Sequence, residues 1–433
     1  MQSHSADVIV IGGGVAGLAA AGELGRRGAR VILVEARERL GGRVYTERRR
    51  GWPAPIELGA QFVHGGNKPL WDLLKRHSIE TQSVPERHWV YRDRAIAEFD
   101  AEKRIGEVTG AIDEKKMRGW SFAKFMRKHG QAFDPIDRDL AMGFVEGFEA
   151  APTDEMSAVA VAGETLEDGE QYFIPGGYDQ VVDALAGELE NVRVFIDAPV
   201  RQVSWRKRAV TVEARGVRFT AASAIVTLPL GVLQAPSRER GAVEFQPAIS
   251  GHAKIAGRMG FGQVTRMTLR FDARTFRRIL PESLAGAEGG FGFIHSWTGG
   301  VPVWWSLTSG PILTGWAGGP NAIALSAKSE TALLRTGLKS LSTILECSAA
   351  DLNGATVDFA THLWSRDPFS RGAYSFTRAG QDEAPDKLRE AIAQTLFFAG
   401  EATADGAEVG TVHGALASGL RAAEEVGRTM GLR

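Results

Sequence analysis

The first 35 residues alternate two wholly apolar runs with a helical repeat. Residues 8–11, Val-Ile-Val-Ile, and residues 31–34, Val-Ile-Leu-Val, are typical of parallel strands that are buried on both faces. Between these runs, apolar residues recur at helical spacing from Val15 towards Gly28. The order of strand, helix and strand predicts a parallel βαβ unit at the start of the chain.

The turn that precedes the helix is rich in glycine and has the spacing G-x-G-x-x-G over residues 12–17. The first glycine allows a tight turn, the second lets the backbone approach a pyrophosphate, and the third lets the helix pack closely on the sheet. Free N–H groups at the helix start favour phosphate, and the acid that ends the second strand accepts hydrogen bonds from a ribose. An acid at this position argues against the 2′-phosphate of NADP. The residues predicted to bind the dinucleotide are Gly12, Gly14, Val15, Ala16, Gly17 and Glu35.

The rest of the chain has a different pattern. From Glu86 to about Glu170, charged and mostly helical segments such as residues 100–116 and 123–129 predict the first part of a second domain. A helix is predicted after Tyr178. Strands are predicted at residues 192–194, 200–203, 210–212, 224–233, 264–271, 290–297, 303–308 and 397–401. A final helix with one buried stripe is predicted to begin at Gly410.

Composition narrows the class of protein. The 433 residues suffice for two or three domains, and 44% apolar with 24% charged residues is typical of a globular chain. A net charge of −1 leaves no basic excess, so nucleic-acid binding is disfavoured. The single cysteine, Cys347, excludes an intramolecular disulfide and a cysteine-based metal cluster, and no metal site is predicted. No apolar run reaches the ~20 residues of a membrane helix, and residues 1–7 lack the basic residues of a secretory signal. We therefore expect a cytoplasmic protein that does not bind membranes.

Several blocks of the sequence resemble the flavin-containing amine oxidases. The resemblance is nearer to the polyamine and bacterial monoamine oxidases than to the membrane-anchored mitochondrial relatives. Arg37 and the Leu-Gly-Gly-Arg of residues 40–43 follow the glycine-rich unit as they do in these FAD proteins. The other similar blocks are residues 57–65, 144–152, 224–233, 313–320, 372–375, 397–401 and 410–415. A second G-x-G-x-x-G for a nicotinamide cofactor is not found, which disfavours a reductase supplied by NAD(P)H.

The resemblance implies an α/β fold with a glutathione-reductase-like, FAD-binding Rossmann domain and an α+β substrate domain, whose mixed sheet is flanked by helices. The FAD-binding domain would be discontinuous and comprise residues 1–85, 171–240 and 385–433, and the substrate domain would comprise residues 86–170 and 241–384. FAD is expected to be bound non-covalently, because Ala373 stands where mitochondrial relatives have the cysteine that is linked to flavin. The further FAD ligands that the resemblance implies are Ala36, Arg37, Gly41, Gly42, Arg43, Gly59, Ala60, Gln61, Phe62, Val200, Thr227, Trp364, Gly400, Glu401, Gly410, Thr411 and Val412.

The resemblance also implies four catalytic positions, at two of which this chain departs from the family. Tyr374 would form one aromatic wall beside the amine. His64 matches the histidine of the family's His-Gly pair, and the alternative is a structural histidine on a loop. Thr411 stands where the second aromatic wall is expected, so the cage is open on that side. The helix that starts there would face the flavin N1/O2 edge, where a helix N-terminus stabilises negative charge.

The second departure is Arg266, which aligns with the lysine that a water bridges to flavin N5 in the family. Arginine does not act as a base, because its pKa lies above ~12, so it would place a permanent positive charge near N5. Two hypotheses follow: it stabilises the anionic reduced flavin or superoxide, or it binds a substrate carboxylate and moves specificity towards amino acids or other acidic amines. If the strand register is shifted, Arg266 instead faces solvent.

The function that the resemblance implies is FAD-dependent amine oxidation. A hydride moves from the amine α-carbon to flavin N5, the resulting imine is hydrolysed, and O₂ reoxidises the flavin and yields H₂O₂. The partners would be a small-molecule amine and O₂, and the pattern does not decide between a monomer and a homodimer. Two other functions stay open: a desaturase or dehydrogenase of the same superfamily that does not use O₂, and a flavin-binding scaffold or sensor without turnover.

Overall fold

A computed structural model describes residues 2–163, 171–285, 289–308 and 310–432. In chain order, its strands are β1 Gln2–Ser5, β2 Val8–Ile11, β3 Val31–Val34, β4 Thr46–Glu47, β5 Ile56–Glu57, β6 Phe62–Val63, β7 Gln82–Ser83, β8 His88–Arg92, β9 Ala95–Phe99, β10 Tyr172–Phe173, β11 Val192–Phe195, β12 Val200–Arg206, β13 Ala209–Ala214, β14 Val217–Ala221, β15 Ser223–Val226, β16 Glu244–Gln246, β17 Gly260–Phe261, β18 Val264–Phe271, β19 Gly292–His295, β20 Val303–Ser306, β21 Ile312–Gly318, β22 Thr356–Thr361, β23 Ser375–Phe376 and β24 Leu396–Phe398.

The α-helices are α1 Val15–Arg26, α2 Lys68–Arg76, α3 Ala101–Thr109, α4 Phe122–His129, α5 Pro135–Gly147, α6 Ala158–Gly163, α7 Asp179–Gly187, α8 Leu230–Leu233, α9 Ser250–Ala256, α10 Ala273–Ile279, α11 Glu282–Ala285, α12 Gly319–Ser326, α13 Glu330–Ile344, α14 Ala349–Ala355, α15 Ala384–Leu388 and α16 Val412–Met430. Short 3₁₀ turns lie at Gly130–Ala132, Trp364–Arg366, Glu401–Thr403 and Gly406–Glu408.

The predicted βαβ unit forms the centre of a parallel sheet in the order β11-β3-β2-β15-β24. Both faces of this sheet are covered, because alternate residues of each strand belong to different apolar clusters. Val8 and Val10 pack with α1, α7 and α16, whereas Ile9 and Ile11 pack against the strands of a second sheet. Burial on both faces explains why these strands read as continuous apolar runs.

The second sheet is an antiparallel meander of β14, β13 and β12, flanked by β1 and β16 in the order β1-β14-β13-β12-β16. Its strand β16 lies a few residues inside the segment 241–384, which the sequence assigned to the substrate domain, and pairs with β12. The edge strand β1 was not predicted. The domain boundaries otherwise stay a prediction.

A further, mixed sheet has seven strands in the order β22-β18-β21-β20-β19-β8-β9. These strands come from the two segments assigned to the substrate domain. The apolar face of this sheet packs on α10, α12, α13 and α14. The strand predicted at residues 264–271 has those bounds in β18, whereas those predicted at 290–297 and 303–308 are shorter, as β19 and β20.

The prediction that residues 86–170 are mostly helical is wrong at its start, where β8 and β9 form a hairpin. The turn of this hairpin places Asp93 and Arg94 at positive φ, 51° and 64°, without a glycine that would have signalled it. The helix predicted over residues 100–116 is shorter, as α3. Residues 164–170, the end of this region, lie outside the described residues. Among the helices that the structure describes, none is long and apolar enough to cross a membrane.

The C-terminal helix α16 packs directly on the backbone of α1 at Gly419, which has no side chain. A Cβ atom at Gly419 would lie 2.2 Å from the carbonyl oxygen of Ala16. We expect Gly419→Ala to lower the free energy of unfolding by about 1–3 kcal/mol, because the two helices would be forced apart. Urea unfolding of the purified protein measures this change.

The matched control is Gly427→Ala in the same helix, where the nearest atom to the added Cβ would be the flexible Arg27 guanidinium at 3.3 Å. This variant is expected to be unchanged or up to about 1 kcal/mol more stable, since alanine is the better helix former. Equal unfolding free energies for the two variants would contradict the close contact of α1 and α16.

Candidate functional site

An elongated cavity of about 1380 Å³, counting its open mouth, runs from the carboxyl edge of the parallel sheet to the seven-stranded sheet. Ile11 and Val34, which end β2 and β3, and Thr227, which follows β15, line its first part. Ligands of open α/β sheets bind at this edge, outside the carboxyl ends of the strands. The cavity therefore lies where the sequence predicts the dinucleotide.

Most of the predicted site residues line this cavity. Among the predicted FAD ligands, the structure places in the lining Gly12, Gly14, Val15, Ala16, Glu35, Ala36, Arg37, Gly41, Gly42, Arg43, Gly59, Ala60, Val200, Thr227, Trp364, Gly400, Glu401, Gly410, Thr411 and Val412. The predicted catalytic residues Arg266 and Tyr374 line its far end. The predicted site residues that do not line it are Gly17, Gln61, Phe62 and His64.

The glycine-rich turn has the geometry of a phosphate cradle. Gly12 has φ +111°, and a Cβ atom at Gly17 would lie 1.9 Å from the Gly12 carbonyl oxygen, so these glycines allow the turn and the close helix packing. A Cβ atom at Gly42 would lie 3.3 Å from the Gly14 Cα atom, which closes the cradle from the other side. No side chain caps α1 at Gly14, and its first turn has no acid, so its N–H groups are left for an anion.

Glu35 is held in place by two backbone N–H groups. Its two carboxylate oxygens accept hydrogen bonds from Gly13, at 2.7 Å, and from Arg37, at 2.8 Å. A carboxylate has further lone pairs, so Glu35 can still accept the hydroxyl groups of a ribose. The residues of this end of the cavity thus fit both the phosphates and the ribose of a dinucleotide.

The two arginines at the dinucleotide end are each paired with a carboxylate. Arg37 lies 2.9 Å from Asp367, and Arg43 lies 2.7 Å from Glu401. Glu401 also accepts the N–H and hydroxyl of Ser375. Burial favours the neutral acid at Asp367, but its contacts with His362 and Arg37 outweigh burial and hold the pKa of Asp367 below its usual range. No sequence pattern points to Asp367 as the partner of Arg37, because the two residues are 330 positions apart.

The N-terminus of α16 faces the cavity, as the resemblance implies for this helix. Thr411 caps this helix: its hydroxyl accepts the Gly414 N–H at 2.9 Å and donates to the Glu408 carbonyl at 2.7 Å. These two hydrogen bonds join the first turn of α16 to the turn that precedes it. The hydroxyl of Thr411 therefore fixes the direction in which the helix starts. The first turn of α16 carries no acid, so its partial positive charge is available to the cavity.

Arg266 is the charged group at the far end of the cavity. Its side chain is buried and donates to the Gly59 carbonyl at 3.1 Å and to the Gln61 side-chain oxygen at 2.6 Å. Its guanidinium lies 5.6 Å from the ring centre of Trp305. The alternative that Arg266 faces solvent is therefore wrong. Burial lowers the pKa of Arg266 to about 10, so the side chain is still a cation at neutral pH.

Aromatic side chains enclose Arg266. Trp316 lies opposite it on β21, and its indole donates to the Gly147 carbonyl at 2.8 Å. The Tyr374 hydroxyl donates to the Phe148 carbonyl at 2.6 Å. Both aromatic residues line the cavity, while Trp304 on β20 is fully buried. The cross-strand register of β18 and β21 is what brings Trp316 to the site.

The lining residues that the sequence analysis missed are mostly apolar. They are Ile11, Val34, Val44, Leu58, Pro199, Leu228, Pro229, Val232, Gly241, Val243, Val264, Trp316, Phe369 and Ala415. One of them had a usable signal, because Val264 is two positions before Arg266 on the predicted strand and therefore shares its face. For the others, the contact depends on the tertiary fold.

His64 does not belong to the residues that line the cavity. Its ring packs edge-on against Phe148, with the ring centres 5.7 Å apart, and contacts Phe62. Burial, with a smaller contribution from His413, lowers the pKa of His64 to about 4, so it is neutral at pH 7. These contacts favour a structural histidine over a catalytic one at position 64. The catalytic role stays a prediction.

Glu57 is a buried acid near Arg266. Its carboxylate accepts the Thr46 hydroxyl at 2.7 Å and the Tyr178 N–H at 2.8 Å. Burial raises the pKa of Glu57 to about 7, while these hydrogen bonds and the charge of Arg266 oppose the rise. The charge balance around Arg266 thus changes near neutral pH. Among the described residues, no group of His, Cys, Asp and Glu side chains is placed to hold a metal ion.

This chain is similar to known proteins over most of its length. A family model described as flavin containing amine oxidoreductase matches residues 15–427. Polyamine oxidase 3 of Oryza sativa subsp. japonica is 29% identical, over 98% of this chain and 90% of that protein. Lysine-specific histone demethylase 1 homolog 2 of Arabidopsis thaliana is 28% identical over 98% of this chain, which spans only 59% of that protein's length.

Solved structures show the same fold. A wild-type putrescine oxidase bound to putrescine superposes on 98% of this chain and 99% of its own, with a TM-score of 0.80 at 21% sequence identity. At this identity the likeness establishes the fold alone, and it leaves the substrate open.

The raised pKa of Glu57 predicts how the free energy of unfolding depends on pH. Its pKa in the folded protein, about 7, lies above the ordinary 4.5, so the folded state holds the proton more tightly in that window. The contribution of Glu57 to stability should therefore be greatest at low pH and fall as the pH rises from about 4.5 to about 7, by up to roughly 3 kcal/mol. Glu57→Gln, which cannot ionise and whose side-chain oxygen can still accept the Tyr178 N–H, should lose most of this decline.

Urea unfolding with excess cofactor at about pH 5 and about pH 8 measures the difference for both proteins. Glu47→Gln on the adjacent strand β4 is the control, because that carboxylate is partly exposed. The same pH dependence in wild type and Glu57→Gln would show that Glu57 does not titrate in this range.

Proposed function

The chain belongs to the flavin-containing amine oxidoreductase family, and we propose that it oxidises an amine by hydride transfer from the α-carbon, with O₂ as the final acceptor. The observation that carries this proposal is the single cavity, which joins the phosphate cradle of the parallel sheet to an enclosed end lined by Arg266, Trp316 and Tyr374. A substrate at that end would lie next to the reactive part of a dinucleotide held by the cradle.

FAD is the cofactor of this family, and the cavity residues fit it. The cradle around Gly14 would hold the pyrophosphate, Glu35 the ribose, and the start of α16 the electron-rich edge of the ring. FAD in this position would accept the hydride and pass its electrons to O₂, giving H₂O₂. Cys347 follows α13 and packs with the apolar cluster of the seven-stranded sheet, whereas Ala373 lines the cavity. The cysteine is thus not among the lining residues, which supports non-covalent binding of FAD.

The chain's own residues supply position, charge and exclusion of water. Val264, Trp316 and Tyr374 make the substrate end apolar and keep bulk water from it. The charge of Arg266 and the N-terminus of α16 stabilise the negative charge that arrives with the hydride. The amine loses a hydride and a proton and becomes an imine, which water then converts to a carbonyl compound and ammonia or a smaller amine.

The first test is anaerobic reduction of the purified, FAD-loaded protein by aromatic monoamines, polyamines and amino acids. We expect one of these classes to bleach the visible flavin band and admission of air to restore it, with H₂O₂ formed in equal amount. A band that is bleached but not restored by air would indicate a dehydrogenase with another acceptor. A band that no amine bleaches would contradict amine oxidation.

The residues at the substrate end of the cavity also predict how the rate of flavin reduction depends on pH. Among the described residues that line the cavity there is no lysine or histidine, and the two acids, Glu35 and Glu401, lie at the dinucleotide end. The amine therefore has to arrive neutral, since no lining side chain at this end takes its proton. The rate of flavin reduction should rise with pH, with an apparent pKa that follows the pKa of the amine.

Stopped-flow measurements of flavin reduction test this pH dependence. They compare benzylamine with a less basic, ring-fluorinated benzylamine, or use an equivalent pair from the active class of amines. The apparent pKa should shift between the two amines by as much as their own pKa values differ. One apparent pKa shared by both amines would instead identify a base in the protein, for which Glu57 is the candidate.

A further inference from the structure

We propose that the substrate is an amine that carries a carboxylate, in effect an apolar or aromatic amino acid, and that Arg266 binds this carboxylate. This inference rests on the proposed amine oxidation and names its substrate class. It follows from how charges are paired along the cavity.

Three cations line the cavity in the described part of the chain: Arg37, Arg43 and Arg266. The first two form ion pairs with Asp367 and Glu401, at 2.9 and 2.7 Å. Arg266 bonds only to a backbone carbonyl and a side-chain amide, so no carboxylate of the described residues lies within hydrogen-bond distance of it. A buried cation without an anionic partner is unfavourable, and an anion in the cavity beside it would remove that cost.

The guanidinium has room for such an anion. Each terminal nitrogen of Arg266 makes one hydrogen bond to the protein, to Gly59 or to Gln61, and a terminal nitrogen carries two N–H groups. A planar carboxylate matches a guanidinium edge with paired hydrogen bonds. The contacts to Gly59 and Gln61 hold the group in one orientation, and Trp305 supports its face.

The acids of the cavity argue against a polyamine. Among the described lining residues only Glu35 and Glu401 are acidic, and both are already bonded to backbone N–H groups or to Arg43. A substrate with two or more ammonium groups would have no free carboxylate in the lining and would meet the charge of Arg266. The charge pattern therefore differs from what a putrescine or polyamine substrate needs.

The surroundings of Arg266 indicate the remainder of the substrate. Val264 lies on the same face of β18, two residues or roughly 7 Å away, and Trp316 lies opposite Arg266 on β21. Tyr374 belongs to the apolar cluster of Val264. A carboxylate at Arg266 would thus place the α-carbon and an apolar side chain against these aromatic walls.

The test uses oxidised, FAD-loaded protein and two half-substrates, so that turnover is not needed. The first, 3-phenylpropanoate, has the carboxylate and ring of phenylalanine without the amine, and the second, 2-phenylethylamine, has the amine without the carboxylate. Titration of the visible flavin band gives each dissociation constant at fixed salt and pH. We expect 3-phenylpropanoate to bind wild type, and Arg266→Gln to weaken its binding about 10- to 100-fold.

Arg270→Gln is the matched control, because it removes the same charge from the same strand at a residue that does not line the cavity. It should leave the binding of 3-phenylpropanoate unchanged. Arg266→Lys, which keeps the charge and loses the fork of donors, should fall between wild type and Arg266→Gln, and it serves if Arg266→Gln fails to fold or to bind FAD. Reduction by phenylalanine should exceed reduction by 2-phenylethylamine and by putrescine.

The proposal is overturned if 3-phenylpropanoate does not bind wild type, if Arg266→Gln binds it as well as Arg270→Gln does, or if putrescine reduces the flavin faster than phenylalanine. Failure of the proposed function gives a different result. In that case no amine, with or without a carboxylate, bleaches the flavin, while the titration of 3-phenylpropanoate still reports on Arg266.

Discussion

The contact between α1 and α16 is the constraint on which the site depends most. Gly419 of α16 meets the backbone of Ala16 in the first turn of α1, so the two helices approach as closely as their main chains allow. This contact fixes α16 along its length, and the end that begins at Val412 then faces the same cavity as the start of α1. Two helix N-termini from opposite ends of the chain thus direct partial positive charge at one ligand.

The ion pairs of the cavity divide it into two parts of different chemistry. At the dinucleotide end, Asp367 and Glu401 neutralise their arginines and fix them in position, so recognition of phosphate is left mainly to backbone N–H groups. At the far end, Arg266 keeps its charge among aromatic and backbone groups, and only the buried Glu57 modulates it. A charged, dry end next to a cofactor site suits a reaction in which negative charge accumulates.

Sequence patterns predicted the parts of the structure that depend on local order. The parallel strands, the glycine-rich turn, β18 and the stripe of α16 follow from spacing alone, because burial on one or both faces dictates each pattern. The hairpin of β8 and β9 was missed because Asp93 and Arg94 form its turn without glycine. Partners such as Asp367, Gln61 and Trp305 could not be predicted, since only the tertiary fold brings them to their arginines. For His64 the catalytic role stays a prediction, because the matching block is present but its histidine does not line the cavity.

Under the proposed function, Arg266 would change specificity within the family fold without changing its shape. The chain superposes on a putrescine oxidase along almost its whole length, yet a cation with no ion pair occupies its substrate end. A dry site amplifies charge, so one unpaired arginine outweighs many apolar contacts in deciding which ligands enter. The aromatic residues Trp316 and Tyr374 would accept the hydrocarbon part of many amines. If Arg266 binds a substrate carboxylate as proposed, the sign of the charge beside them, set by a single position on β18, selects among those amines.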